Sequence, residues 1–171
     1  MISPTENQKF AIPLVETEVG LDSGRNFVPK VLRDSKGRIK NACGSIKGGN
    51  LPKGDQPSKV ITEMIGSHKA KYIQQIIPSI WGGGSHLDNI IFPSHKQIKT
   101  KTFGVSKLDQ EIADHLSKPG SSIVFSFDYK YEGAEIIPSK TRKFIDLIHS
   151  DGERTFFRNG TEYKLANSAS R

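Results

Sequence analysis

"YIQQIIPSIWGGGSHLDNIIFPSHKQIKT", residues 72–100, is the stretch whose reading decides the fold. A β-like run from Tyr72 to Ile77 ends at Pro78 and the glycines at 82–84. Leu-Asp-Asn then leads into a second apolar pair, Ile90-Ile91, and a tail carrying His95, Lys96 and Lys99. Such a succession reads as two short extended segments joined by a glycine-bearing loop and followed by a basic segment. The residues at its centre, Gln74 and Gln75, are polar where an apolar strand would continue.

Downstream, Ser106-Lys107-Leu108-Asp109 is a capping-box pattern, and Val105, Leu108, Ile112 and Leu116 recur at helical spacing until Pro119-Gly120. This predicts a helix from about Ser106 to Leu116. Next, "SSIVFSFDYKY" sets Ile123, Phe125, Phe127, Tyr129 and Tyr131 on one face, the pattern of a half-buried strand. "KFIDLIHSDGERTFF" reads as a hairpin turning on Asp151-Gly152, and Asn159-Gly160 offers a further turn before a frayed tail.

Upstream, two β-prone segments flank Asp34-Ser35-Lys36-Gly37, which predicts a hairpin. The loop "KGGNLPKGDQPSK" reads as a solvated surface segment, with an approach to phosphate as its alternative. Residues 59–71 read weakly as a helix, because Gly66 interrupts them and their β-branched residues pull toward strand. Residues 1–24 have no clear period and read as an extension or linker with at most one short strand, ahead of a single domain from 25 to 171. The architecture expected is α+β: an antiparallel sheet, a few helices and a ββα core built on residues 72–100.

The chain has 171 residues, enough for one domain with a real core. No apolar run approaches the roughly 20 residues of a membrane span, and the N-terminal residues lack the apolar centre of a signal peptide. One cysteine, Cys43, excludes an internal disulfide or a cysteine-based zinc site, and reads as a small half-buried residue. A net charge of +7 and a pI near 9.5 favour a polyanionic partner.

The residues of 72–100, with the helix, "FSFDYKYEG", "IPSKTRKFI", "SDGERTFFRNG" and the Asp-x-x-Gly-Arg hairpin at Asp34–Arg38, resemble the DNA/RNA non-specific endonuclease domains found as C-terminal toxins of bacterial secreted proteins. The likeness covers roughly residues 25–160. It implies a ββα-metal nuclease fold, in which a histidine deprotonates water and Mg²⁺ stabilises charge on the phosphate. In register with that pattern, Gln75 occupies the histidine position and Ile76-Ile77 follow it. Gly82-Gly83 match the glycine pair, Asn89 matches the asparagine of the segment ending at Phe92-Pro93, and Lys99 falls on the metal-binding asparagine. Gln74 replaces the glycine before the histidine, and Lys71 or Tyr72 meets an acidic position.

The HNH nucleases of colicin type are a competing resemblance: they carry His-His-x-x-Pro where this chain has Gln74-Gln75-Ile76-Ile77-Pro78. Both place the same change at the same spot. A glutamine has no usable pKa near neutrality, and losing a general base costs ~10²–10⁴-fold in rate. An ammonium at 99 repels a divalent cation, so no metal is expected here, Mg²⁺ being the cofactor only if the family chemistry survives.

Gln75 and Asn89 are therefore candidate site residues, with His95 and His68 as alternatives for metal-independent RNA cleavage. His86, His115 and His149 read as loop or surface residues. Lys69, Lys71, Lys96, Lys99, Lys101 and Lys107 are expected to converge beside the site, and Lys140, Arg142 and Lys143 form a second basic cluster. Trp81, Tyr72 and Phe92 are candidates for stacking on bases, though core packing is the more ordinary use of the last two. Four readings stand together: a nuclease with relocated chemistry, a catalytically inactive DNA- or RNA-binding module, a metal-independent ribonuclease, and a protein-interaction domain. The resemblance further implies delivery into a target cell as part of a larger secreted protein and a cognate acidic immunity protein.

Overall fold

The computed structural model describes residues 20–22, 26–66 and 69–163, with side chains for 26–66 and 71–163. The readings of residues 1–19, of His68, of the Lys69 side chain and of the tail from 164 lie outside the described residues.

The framework is a six-stranded antiparallel sheet. Its strands are β3 (Lys30–Arg33), β4 (Ile39–Lys47), β7 (Ser122–Lys130), β8 (Lys140–Ile148), β9 (Arg154–Arg158) and β10 (Thr161–Tyr163), in the spatial order β10-β9-β8-β7-β4-β3. β1 (Gly20–Asp22) and β2 (Asn26–Val28) form a separate antiparallel pair. The three turn signals sit where they were expected. Gly37, Gly152 and Gly160 all take positive φ, and the Asp34 carboxylate accepts N–H bonds from Lys36 at 2.9 Å and Arg38 at 3.0 Å, closing the first turn. Arg38 in turn donates through its guanidinium to Gly133 O and Glu135 O, tying that turn to the far loop.

Strand alternation fixes the core. Ile123, Phe125, Phe127 and Tyr129 of β7 share one face with Ala42 and Ile46 of β4 and Ile145 and Leu147 of β8. Against that face packs α3 (Lys107–Leu116), with Ile112 and Leu116 fully buried. Ser106 caps α3, accepting from Asp109 N while the Asp109 carboxylate accepts from Ser106 N, so the expected capping box forms.

The weak helix over 59–71 resolves into α1 (Lys59–Ile65), ended by Gly66 at φ 94, and a separate 3-10 turn at Lys69–Tyr72. A residue at positive φ cannot continue a right-handed α-helix, and glycine takes that φ without strain. His115 departs from expectation. It is a buried histidine of α3, 6% exposed, donating from Nε2 to Ser122 O at 2.9 Å and meeting the His149 ring edge-on at 5.0 Å.

Burial pushes the pKa of His115 down from 6.5, helped by the positive charge that His149 and Lys118 can present and opposed by its backbone hydrogen bonds. The folded state therefore binds fewer protons here than the unfolded chain. The contribution is complete above pH 6.5 and is lost as pH falls through the lower folded value. The thermal midpoint should fall over that window, and His115→Gln should flatten the fall in a melting series against pH.

Candidate functional site

β5 (Gln74–Gln75) pairs antiparallel with β6 (Ile90–Ile91), Gln74 opposite Ile91 and Gln75 opposite Ile90. α2 (His95–Thr100) follows at once, started by a capping box between Ser94 and Gln97. The decisive stretch is thus a β-loop-β-α unit. Its loop is held by close backbone contacts: Phe27 N donates to Gly82 O at 2.9 Å, Gly84 N to Phe27 O at 3.0 Å and Asp55 N to Gly83 O at 3.0 Å. The three glycines allow this approach, since a Cβ on Gly83 would sit 1.8 Å from Ile77 O and one on Gly84 2.6 Å from Asn26 Cβ. The segment from 51 to 57, read as a solvated loop, packs on this unit instead, and a Cβ on Gly54 would lie 2.0 Å from Ser79 O.

Gln75 is half-buried, and its amide is fully engaged. Nε2 donates to Asp55 O at 2.6 Å and Gly84 O at 3.2 Å, while Oε1 accepts from Ser79 N at 3.1 Å. Asn89, fully buried, accepts from Ile77 N at 2.7 Å and donates to Ile77 O at 3.0 Å and Gly84 O at 2.8 Å. Both side chains close the loop from inside.

The position that the resemblance assigns to the metal ligand is Lys99, and Gln75 and Asn89 stand at its general-base and conserved-asparagine positions. The amide oxygens of Gln75 and Asn89 already accept N–H bonds, and Lys99, exposed on α2, adds positive charge. Among the described residues no group of three His, Cys, Asp or Glu comes together for a metal ion.

Beside Gln74 and Gln75 opens a cleft of about 450 Å³. Its walls come from the β-loop-β-α unit (Ile76, Pro78, Trp81, Gln97), from the start of α3 (Ser106 to Asp109) and from the sheet (Phe127, Lys143, Ile145, Phe157). A second groove of about 400 Å³ shares Gln97, Thr102, Lys143 and Asn159 with it and adds Ser94, Lys96 and Lys140. Cleft and groove lie on either side of these four shared residues.

Of the lysines expected to converge, Lys96 lines the groove and Lys107 stands at the cleft, and Lys140 of the second cluster lines the groove as well. Lys71, Lys99 and Lys101 are exposed and line neither, and Lys101 instead ends α2 in a left-handed conformation at φ 56. Arg142 lies opposite Asp128 in the register, in a further hollow with Lys40 and Lys130 that shares Lys140 with the groove. His95 is exposed and lines neither cleft nor groove, and His86 binds its own turn, accepting from Asp88 N at 3.0 Å.

Trp81 is 1% exposed and donates from Nε1 to Asp109 O at 2.8 Å, so it is a core residue forming one cleft wall rather than an open stacking platform. Tyr72 packs edge-on against Phe103.

Sequence reasoning grouped Lys143 with Lys140 and Arg142 as one basic cluster. Strand parity separates it, for Lys143 shares the face of Ile145 and Phe127. Its ammonium lies 5.2 Å from the Phe127 ring centroid, and desolvation lowers its pKa from 10.5, with Asp109 pulling it back up. Its backbone is clamped by Asn159, whose Oδ1 accepts from Lys143 N at 2.7 Å and whose N donates to Lys143 O at 2.8 Å.

No family model and no curated protein matches the sequence. Among solved structures the chain is similar to an extracellular endonuclease, with a TM-score of 0.51 and 12% sequence identity, over 90% of this chain and 100% of that one. That likeness shows the fold: an α+β, nuclease-like arrangement.

Proposed function

We propose that this chain is a nucleic-acid-directed domain, related to the toxin domains of non-specific DNA/RNA endonucleases, in which the histidine and Mg²⁺ chemistry has been replaced and the site grips phosphate without a divalent ion. The unit β5-loop-β6-α2 is read as the counterpart of the ββα-metal finger. The observation that carries the reading is the bonding of Gln75, whose amide nitrogen and oxygen are both bound to backbone groups, at the position that the resemblance gives to the general base. Support for phosphate comes from the cationic groove of Lys96, Lys140 and Lys143 that runs beside it.

As a toxin or effector module it would be delivered as part of a larger secreted protein and act in the cytoplasm of the target cell. An immunity protein presenting acidic residues would cover the groove. Among the described residues no helix is long and apolar enough to cross a membrane.

Purified protein is to be incubated with supercoiled DNA and with total RNA, each with Mg²⁺, Zn²⁺ or EDTA. The expected result is a salt-dependent mobility shift without cleavage. Lys96→Ala and Lys140→Ala should each weaken binding and lower the slope of log K against log salt by roughly 1. Cleavage abolished by His95→Ala would replace this reading with a rebuilt nuclease. Absence of binding would leave protein recognition as the use of the fold.

A further inference from the structure

The cleft and the groove ask for a ligand with two unlike ends. The cleft is walled by Ile76, Trp81, Phe127, Ile145 and Phe157, so it suits a flat apolar group. Two donors interrupt that wall. Gln74 is only 9% exposed, lines the cleft, and holds an enclosed Nε2 with no acceptor among the described residues. An amide N–H buried without a partner is costly, and an acceptor carried in by a ligand removes the cost. Lys143 supplies the second donor, with its ammonium over Phe127 and its backbone pinned by Asn159. The neighbouring groove, which shares Lys143 with the cleft, brings Lys96 and Lys140, which suit an anion.

A planar, acceptor-bearing apolar group attached to a phosphate is a nucleotide. We infer that the cleft receives one unstacked nucleobase of a bound single strand, its carbonyl oxygens meeting Gln74 and Lys143 while its phosphates lie along Lys96 and Lys140. This rests on the reading of the groove as a nucleic-acid site and adds to it a base subsite. A paired base cannot enter, so single strands should be preferred over duplex.

Trp81 is the one tryptophan of the chain and forms a wall of the cleft, so its emission reports on the subsite. The experiment titrates the full chain with a short oligothymidylate and with an abasic strand carrying the same number of phosphates, following Trp81 emission and binding by anisotropy. The oligothymidylate should bind roughly tenfold tighter and alone should change the emission. Gln74→Leu should remove most of that difference while leaving the abasic strand's affinity unchanged.

Equal binding of both strands with unchanged emission would overturn the base subsite and leave the phosphate reading intact. Failure of both strands to bind would overturn the two together. If Gln74→Leu does not fold, the emission of the unaltered chain with the two strands still decides.

Discussion

Replacing Asn89 with alanine is expected to destabilise the fold by about 3–5 kcal/mol, measured as the change in urea midpoint at constant slope. Three hydrogen bonds are lost at once, to Ile77 N, Ile77 O and Gly84 O, in a place that is fully buried. Water does not reach the orphaned Ile77 N–H, so its desolvation adds to the lost bonds. Asn89→Asp should be at least as damaging. It keeps an acceptor for Ile77 N but turns the side-chain donor into an oxygen facing two carbonyls. A residue acting only in chemistry would show the opposite pattern, normal stability with altered function, and that outcome would return Asn89 to the list of catalytic candidates.

Gly83→Ala carries the second large expectation, a loss of more than about 4 kcal/mol or failure to accumulate folded protein. The new Cβ would lie 1.8 Å from Ile77 O and 2.6 Å from Ile77 C, so backbone rather than a flexible side chain has to move. Moving it breaks the bonds from Gly83 N to Pro78 O and from Asp55 N to Gly83 O. Gly37→Ala is the control: a Cβ there meets nothing within 4 Å, and only the cost of a positive φ, ~1 kcal/mol, is expected. Circular dichroism melts of the two variants separate close approach from backbone conformation. Similar melts would show that the loop of 82–84 can shift without loss.

What the sequence made legible was local. Asp34 to Gly37, Asp151-Gly152 and Asn159-Gly160 each carry their turn chemistry within four residues, and the capping box of α3 lies within four as well. Alternation along β7 was equally self-contained. The helix α2 has only six residues, too few for a period to show, although Ser94 and Gln97 already spelled its cap.

The roles that escaped depend on partners far along the chain. Gln75 is explained by Asp55, 20 residues away, and Trp81 by Asp109, 28 away. His115 is buried by the edge of β7 and by His149, which no helical pattern announces. Lys143 was named for its charge, and its facing required the register of β8 against β7. Burial of Gln74 against an open cleft is likewise a property of packing between elements, invisible in a stretch of 29 residues.

The bonding of Gln75 bears on how freely position 75 can change. A neutral imidazole has one donor and one acceptor, whereas the glutamine amide donates to Asp55 O and Gly84 O and accepts from Ser79 N. Histidine at 75 would therefore leave at least one backbone group without its partner. Exchange of Gln75 for histidine is accordingly expected to give a less stable chain unless changes around 55 or 79 accompany it. Three hydrogen bonds to backbone act as a ratchet in sequence space: they entrench glutamine at 75, whatever use the protein makes of the cleft beside it.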